Sequence, residues 1–350
     1  MNGYDVVVVG GGVAGTSCAY HLRRLGAGRV LLLERDSLAA GSSSRSTGFV
    51  ETAYRERWRV EATLRSRRIV ERLAGERGLP FVRCGKLLLG HDRAALEAAL
   101  ALRRELGAAD GEMLSANEVG AVAPELRADG PALWCEGDGH TDGPLLCSAL
   151  ARDVEVRQGV EVTSLTIASG RVVGVATRED ELRCGAVVNA AGAWARRLGA
   201  LAGVDVPVAG YRRQVAVLEA ERTTLPIVTE ELPGGEVLYL RGEGERHILA
   251  GLHSETTSEQ PADPDDFAET TDPAFEARIA ELLSGRLLRG AALRLRGGWA
   301  GLYPIAAGGL PIVTETEGAG FFVLAGLGGN GIQLGPALGE DLARLVLRRA

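Results

Sequence analysis

The sequence predicts an α/β protein with two interleaved domains, and the order of strands and glycines along the chain supports this prediction. Near the start, a buried strand (4–10), a helical pattern (14–25) and a second buried strand (29–34) follow one another, as in a parallel sheet with a covering helix. The same strand-then-glycine pattern returns at 185–192 and at 321–331. The intervening segments differ in character, so we expect several chain crossings between two domains.

The first turn has the glycine spacing of a dinucleotide-binding site. Gly10-Gly-Gly12-Val-Ala-Gly15 is a G-x-G-x-x-G, in which Gly10 makes the tight turn, Gly12 lets the backbone approach a pyrophosphate, and Gly15 packs helix on strand. The helix N-terminus offers free N–H groups and a partial positive charge to phosphates. Glu34 ends the second strand, where an acid accepts hydrogen bonds from ribose hydroxyls and repels a 2′-phosphate. We therefore predict a Rossmann-like domain that binds a dinucleotide other than NADP.

Two later glycine turns favour FAD over NAD, which the first turn alone does not separate. The run 187–194 places small residues in a row after a strand, which suits a backbone pressed against a flat ring system or an adenosine. The run 326–336 precedes the last predicted helix, which we start at Pro336. A reduced flavin is an anion at its pyrimidine end, so N–H groups at that helix start would stabilise it. The alternative for each run is a tight turn with no ligand.

Composition and charge argue against several other classes of protein. A formal charge of −7 over 350 residues argues against nucleic acid, since binding to a phosphate backbone needs a basic face. The five cysteines are odd in number and lack metal-ligand spacing, so we expect no metal site and no disulfide framework, and a reducing cytoplasm fits. The apolar run 6–9 is read as a strand rather than a signal peptide, and no window approaches the ~18 apolar residues of a membrane span.

These segments resemble the D-amino-acid oxidase superfamily of flavoproteins over nearly the whole chain. Within this superfamily, the sequence most resembles D-arginine dehydrogenase and its relatives, and it also resembles glycine oxidase and sarcosine oxidase. The segments that carry the resemblance are the first turn with Glu34, 41–48, 187–194, Trp299–Pro304 with Gly309–Pro311, Tyr211–Arg213 and 328–339.

The resemblance implies an FAD-binding domain interleaved with a substrate domain that is built on an antiparallel sheet over the flavin. We expect the FAD-binding domain at 1–80, 140–205 and 299–350, and the substrate domain at 81–139 and 206–298. The implied reaction is hydride transfer from the carbon beside an amine nitrogen to flavin N5, giving an imine that water hydrolyses. The implied partners are a small amine or amino-acid substrate and oxygen or another electron acceptor, and an oligomer is compatible with the sequence.

The resemblance also assigns FAD contacts residue by residue. Glu34 would hold the adenosine ribose, Val160 would contact the adenine through its backbone, and Gly328–Gln333 would meet the isoalloxazine. We expect the FAD to be non-covalent, because Arg45 and a stretch without cysteine stand where relatives attach it through His or Cys. The expected cofactor residues are Gly10, Gly12, Val13, Ala14, Gly15, Glu34, Arg35, Ser42, Ser43, Arg45, Ser46, Val160, Ala190, Gly192, Trp194, Gly328, Gly329, Asn330, Gly331, Ile332 and Gln333.

The substrate end departs from the usual carboxylate anchors of the relatives. Tyr303 stands where many relatives have Arg, Gln333 where sarcosine oxidases have Lys, and Glu51 where they have Arg. The remaining cationic candidates are Arg213 and its neighbour Arg212, because a bidentate Arg–carboxylate pair is strong. The alternative is that this arginine pair has a structural role at a strand edge.

Four residues are expected to act in catalysis: Arg213, Tyr239, His253 and Tyr303. Tyr239, expected to contact the substrate as well, matches a pocket tyrosine of the D-arginine enzymes. His253 stands where sarcosine oxidases also have His, and it would tune the protonation of an amine that must be neutral to lose a hydride. Glu51 would favour a cationic substrate group if it faces the pocket. The interpretation that we favour is a solvated acid at a helix start, where its charge suits the helix dipole.

Two other functions fit the same resemblance. One is oxidation of a hydroxy acid or another alcohol, and the other is a non-catalytic FAD-containing subunit, which the missing carboxylate anchors keep open. Leu249 stands where sarcosine oxidases have a Lys that promotes reaction with oxygen. The choice between oxidase and dehydrogenase is therefore open at the level of the sequence.

Overall fold

The computed structural model describes residues 3–90, 92–254, 260–288, 292–317 and 320–349. The helices are α1 (Val13–Arg24), α2 (Arg57–Arg77), α3 (Arg93–Glu105), α4 (Ala116–Val122), α5 (Gly143–Ala151), α6 (Ala195–Leu201), α7 (Pro273–Arg286) and α8 (Gly331–Arg349). The strands are β1 (Gly3–Val9), β2 (Val30–Leu33), β3 (Phe49–Val50), β4 (Phe81–Val82), β5 (Lys86–Leu89), β6 (Gly111–Leu114), β7 (Ala132–Cys135), β8 (Gly139–Thr141), β9 (Glu155–Arg157), β10 (Ser164–Ala168), β11 (Arg171–Ala176), β12 (Glu181–Asn189), β13 (Val208–Glu219), β14 (Ile227–Glu231), β15 (Val237–Glu243), β16 (His247–His253), β17 (Arg294–Ala306), β18 (Ile312–Glu315) and β19 (Phe321–Ala325).

The first sheet carries the glycine turn and is parallel at its centre. Its order is β10-β11-β12-β1-β2-β9, with β19 parallel to β12 and β18 antiparallel to β19. The central strands β1 and β2 are apolar and largely buried, because α1 and α8 cover one face and a second apolar cluster covers the other. The carboxyl ends of the parallel strands meet at one edge, which is where sheets of this kind bind ligands.

The second sheet is antiparallel except at one pair. Its order is β17-β13-β16-β15-β14-β5-β7-β6, and β5 and β14 are the parallel pair. Side chains alternate across each strand, so one face packs on α7 and on the segment that includes α4 in a large apolar core. The opposite face is turned towards the carboxyl edge of the first sheet. The predicted fold class, an α/β protein with a Rossmann-like sheet and an antiparallel sheet, is confirmed.

The chain passes between the two sheets several times. A small sheet of order β3-β8-β4 pairs short strands from two of these crossings, since β3 and β4 lie between β2 and β5 and β8 lies between β7 and β9. β17 runs through the expected boundary at 299 and pairs with β13 over most of its length. The division into domains at the expected residue numbers stays a prediction.

The last helix begins earlier than the sequence indicates. We expect it at Pro336, but α8 begins at Gly331 and contains Pro336 in its second turn. A proline at this position cannot donate to the carbonyl one turn earlier, yet tertiary packing outweighs that loss. A Cβ on Gly335 would lie 3.1 Å from the Val13 side chain, and His21 Nε2 contacts the Pro336 carbonyl at 3.1 Å, so α1 holds the early turns of α8.

Within the described ranges, no helix is both long enough and apolar enough to cross a lipid bilayer.

Candidate active site

A cavity of about 1490 Å³ lies between the carboxyl edge of the first sheet and the facing side of the second. Typical small-molecule pockets measure about 300–1,000 Å³, so this one has room for a dinucleotide and a substrate together. Gly15 is the one expected cofactor residue that does not line it. Those that line it are Gly10, Gly12, Val13, Ala14, Glu34, Arg35, Ser42, Ser43, Arg45, Ser46, Val160, Ala190, Gly192, Trp194, Gly328, Gly329, Asn330, Gly331, Ile332 and Gln333.

The three glycines of the G-x-G-x-x-G spacing, Gly10, Gly12 and Gly15, have three different surroundings. Gly10 has a φ of +115°, and a Cβ there would lie 2.4 Å from the Ala190 carbonyl oxygen. A Cβ on Gly15 would lie 1.9 Å from the Gly10 carbonyl oxygen, so this glycine serves the contact between helix and turn. A Cβ on Gly12 meets only Ser43 Oγ, at 3.3 Å, and otherwise faces the cavity. Gly12 is thus the position where backbone is left open to a ligand.

Polar groups around this turn are held in place by the chain itself. Glu34 follows β2, and its carboxylate accepts from the Gly11 N–H at 2.6 Å and from the Asp36 N–H at 2.8 Å. Ser43 Oγ accepts from the Val13 N–H at 3.0 Å, and Ser42 Oγ donates to the Leu302 carbonyl at 2.7 Å. The loop that follows β2 is therefore bound both to α1 and to β17.

These residues fit FAD. The open Gly12 lies at the N-terminus of α1, and the acid at the end of β2 is placed for a ribose. Gly328–Asn330 form a 3₁₀ turn that leads directly into α8, so a second helix start faces the same cavity. A Cβ on Gly329 would lie 2.4 Å from the Tyr303 ring and 2.8 Å from His253, which shows how closely this turn packs against the second sheet.

A segment between β16 and α7 borders the cavity near the first glycine turn. We call residues 260–272, between β16 and α7, the strap. Asp265 accepts from Trp194 Nε1 at 2.7 Å and from Arg35 at 3.1 Å, and it pairs with Arg197. Glu269 of the strap pairs with Arg45. Three expected cofactor residues are therefore held by strap carboxylates.

The second sheet brings four expected substrate-end residues to one wall of the cavity. Arg213, Tyr239, His253 and Tyr303 lie on β13, β15, β16 and β17, and all four line it. The His253 and Tyr303 rings have centroids 5.4 Å apart, and the Arg213 guanidinium lies 5.9 Å from the Tyr303 ring. Arg213 donates to the Ser254 carbonyl at 3.2 and 3.1 Å and to the Arg212 carbonyl at 2.9 Å.

Tyr239 is enclosed by its neighbours on the same wall. Its ring meets Phe49 edge-on at 5.6 Å, and a Cβ on Gly251 would lie 2.2 Å from its hydroxyl. Burial, together with the nearby Tyr303, raises the pKa of Tyr239 well above its usual value. The Tyr239 hydroxyl therefore stays protonated and is able to donate a hydrogen bond.

The structure does not bring Arg212 to the cavity. Neighbouring residues of a strand point to opposite faces, so Arg212 points away from Arg213. Its guanidinium donates to the Ala268 carbonyl and to Asp272, both at 2.7 Å. These contacts hold the strap against β13.

Glu51 is buried, so the interpretation as a solvated acid at a helix start is wrong. The residue is 7% exposed, lies several residues before α2 and lines the cavity. Its Oε2 pairs with Lys86 Nζ at 2.5 Å, and its Oε1 accepts from the Tyr54 hydroxyl at 2.6 Å. Burial alone would raise the pKa of Glu51, but the Lys86 ammonium and the hydrogen bonds outweigh burial and lower it. Glu51 is therefore a paired anion in the cavity wall.

Sequence reasoning missed Lys86, although a signal was available. Lys86 begins β5, is 2% exposed and lines the cavity. It is the only lysine among the 39 lysine and arginine residues of the chain. A charged residue at the head of an apolar strand, of a type that the chain uses nowhere else, marks an exceptional position.

A parallel-centred sheet with this glycine turn, joined across one cavity to an antiparallel sheet, defines the two-domain class of dinucleotide-binding flavoproteins. The chain belongs to the FAD dependent oxidoreductase family, whose sequence model matches residues 5–345. The resemblance to the D-amino-acid oxidase superfamily is thereby confirmed, and the cofactor is FAD.

The chain is similar in sequence to two named enzymes and in structure to a third. Human mitochondrial sarcosine dehydrogenase is 28% identical over 375 residues, a match of 98% of this chain and 39% of that protein. The chain thus spans well under half of that relative. Glycine oxidase from Pseudomonas putida is 28% identical over 353 residues, covering 95% of this chain and 92% of that enzyme. The crystal structure of L-proline dehydrogenase from P. horikoshii superposes with a TM-score of 0.89 at 23% identity, covering 99% and 94% of the two chains, and shows the shared fold.

Proposed function

We propose that this protein oxidises an amine or amino acid at the carbon beside the nitrogen, giving an imine. The observation that carries the proposal is one cavity that joins the FAD-type turns to a wall with Arg213, Tyr239, His253 and Tyr303. FAD bound there supplies a hydride acceptor, flavin N5. The names of the relatives, a glycine oxidase and a sarcosine dehydrogenase, support a C–N substrate.

The residues of the wall divide the work of holding the substrate. Arg213 binds the substrate carboxylate, and its bonds to the Ser254 and Arg212 carbonyls fix the guanidinium plane for a bidentate pair. His253, beside Tyr303, takes the proton from the substrate ammonium, because the amine must be neutral to lose a hydride. Tyr239 donates a hydrogen bond that orients the substrate.

Glu51 remains a proposed substrate residue in a changed role. A carboxylate already paired with Lys86 is a weaker attractor for a second cation than an unpaired one would be. Glu51 therefore adds polarity to the cavity wall rather than acting as the main counter-ion of the substrate.

The electron acceptor and the cellular location belong to the same proposal. Oxygen or another acceptor takes the electrons from reduced FAD. A reducing cytoplasm is supported by five free cysteines, of which all but Cys84 are buried.

The test is product analysis with oxygen uptake measured in parallel. The protein is incubated with D- and L-amino acids, N-methyl amino acids, polyamines and hydroxy acids, and carbonyl and amine products are quantified. A carbonyl released together with ammonia or an amine supports the proposal. A carbonyl from hydroxy acids alone would replace it with alcohol oxidation, and no product from any class would point to a non-catalytic FAD protein. Oxygen uptake that matches product identifies an oxidase.

A further inference from the structure

Lys86 is the one lysine in the sequence. Every other cationic side chain that the sequence places along the chain is an arginine or a histidine. Lysine and arginine differ in shape and hydration, and the one lysine of this chain is 2% exposed. An ammonium is a compact point charge that fits where a planar guanidinium does not.

The ion pair of Lys86 with Glu51 leads into a series of hydrogen bonds. Lys86 Nζ forms an ion pair with Glu51 Oε2 at 2.5 Å, and the Tyr54 hydroxyl donates a hydrogen bond to Glu51 Oε1 at 2.6 Å. The Tyr54 oxygen in turn accepts from Gln333 Nε2, which also donates to Asn330 Oδ1 at 2.7 Å. The loop is closed by the Glu51 N–H, which donates to Gln333 Oε1 at 3.2 Å.

This series of contacts connects the second sheet to the first turn of α8. Lys86 lies on β5 of the second sheet, whereas Gln333 lies in the first turn of α8. All the side chains between them line the cavity. An ionised carboxylate only accepts hydrogen bonds, so the Tyr54 hydroxyl donates to Glu51 and the Tyr54 oxygen is left to accept from the Gln333 amide.

We propose that Lys86 is a positioning residue for the cofactor: its ammonium fixes the Glu51 carboxylate and thereby holds Tyr54, Gln333 and the first turn of α8 in place against FAD. The Lys86 ammonium also offsets the charge of Glu51 in the cavity wall. An unpaired Glu51 anion would oppose the negative charge that FAD gains on reduction. The inference rests on FAD occupying the cavity and does not depend on which substrate is oxidised.

The test compares four variants by FAD dissociation constant and by the midpoint potential of bound FAD. Lys86→Met leaves Glu51 without its partner, and Lys86→Met with Glu51→Gln removes both charges. Lys86→Arg keeps the charge in a different shape. Arg83→Met is the matched control. It also removes a positive charge, three residues before Lys86, but the Arg83 side chain is 59% exposed and does not line the cavity.

We expect Lys86→Met to weaken FAD binding at least tenfold and to shift the potential to more negative values. The double variant should recover most of the potential shift, Lys86→Arg should recover part of the affinity, and Arg83→Met should match the parent. Equal values for Lys86→Met and Arg83→Met would overturn the proposal, as would a double variant no closer to the parent than Lys86→Met.

A second measurement needs no substitution at all. Because the chain has one lysine, protein grown with ¹⁵Nζ-lysine gives one side-chain resonance. We expect this resonance to shift when apoprotein takes up FAD and again when the FAD is reduced. A resonance that stays unchanged through both steps would overturn the proposal even if Lys86→Met does not fold. Neither readout requires a substrate, so failure here is distinct from failure of the proposed amine oxidation.

Discussion

Alanine at Gly12 should separate cofactor binding from folding. The backbone at Gly12 has φ −76°, which any residue adopts, and the new Cβ would meet only Ser43 Oγ, at 3.3 Å. We therefore expect the free energy of unfolding of the apoprotein to change by less than about 1 kcal/mol. The methyl group projects into the cavity where the pyrophosphate approaches. Displacing one hydrogen bond to a charged group costs about 1.5–3 kcal/mol, which raises the FAD dissociation constant about 10- to 150-fold.

Alanine at Gly10 should have the opposite profile. Its φ of +115° is strained for alanine, at about 1–3 kcal/mol, and its Cβ would lie 2.4 Å from the Ala190 carbonyl oxygen. We expect the apoprotein itself to lose stability. Gly75→Ala is the control, because this glycine lies in α2 with nothing within 4 Å of a new Cβ. That change should stabilise the protein by about 0.5–1 kcal/mol.

The assays are thermal unfolding of the three apoproteins and fluorescence titration with FAD. We expect weak FAD binding with parental stability for Gly12→Ala, and lost stability for Gly10→Ala. Parental FAD affinity in Gly12→Ala would refute the assignment of the first turn to the pyrophosphate. Equal stability of the Gly10 and Gly12 variants would refute the structural distinction between the two glycines.

Three further predictions concern other parts of the site. Arg213→Ala should raise KM for a carboxylate substrate by the equivalent of about 1.5–3 kcal/mol, whereas Arg212→Ala should leave KM unchanged; equal effects in steady-state kinetics would contradict the facing of the two arginines. Because the pKa of Glu51 is lowered, its contribution to stability is present above its unfolded pKa of about 4.3 and is lost as pH falls through the folded value. Melting temperature between pH 3 and 6 should thus vary less in Glu51→Gln than in the parent, and parallel curves would count against this. Asp265→Asn should release FAD about fivefold faster, because weakening a partly exposed ion-pair network costs roughly 1 kcal/mol of binding free energy. The release rate is measured by stopped-flow fluorescence, and an unchanged rate would show that the strap does not retain the cofactor.

Features that depend on short stretches of sequence could be predicted. The first turn, its helix and Glu34 are set by residues within one strand–helix–strand unit, where glycine at a positive φ and an acid at a strand end have direct local meaning. The strand 321–325 and its glycine turn were predicted for the same reason.

Features that depend on register and on distant partners could not. A shift of one residue moves a strand side chain to the other face, so the sequence does not separate Arg213 from Arg212. From the sequence alone Glu51 is interpreted as a solvated acid, because the sequence does not show that β5 places Lys86 beside it. The early start of α8 depends on its packing against α1, and the position of Pro336 in the sequence gives no information about that packing.

The most direct test of the account is an anaerobic absorption spectrum of the purified protein, repeated after addition of D- and L-amino acids, N-methyl amino acids, polyamines and hydroxy acids. We expect a yellow flavin band that an amine or amino acid bleaches without air. A colourless protein that takes up no FAD would contradict the role of the cavity, and a flavin band bleached only by hydroxy acids would contradict the proposed oxidation beside nitrogen.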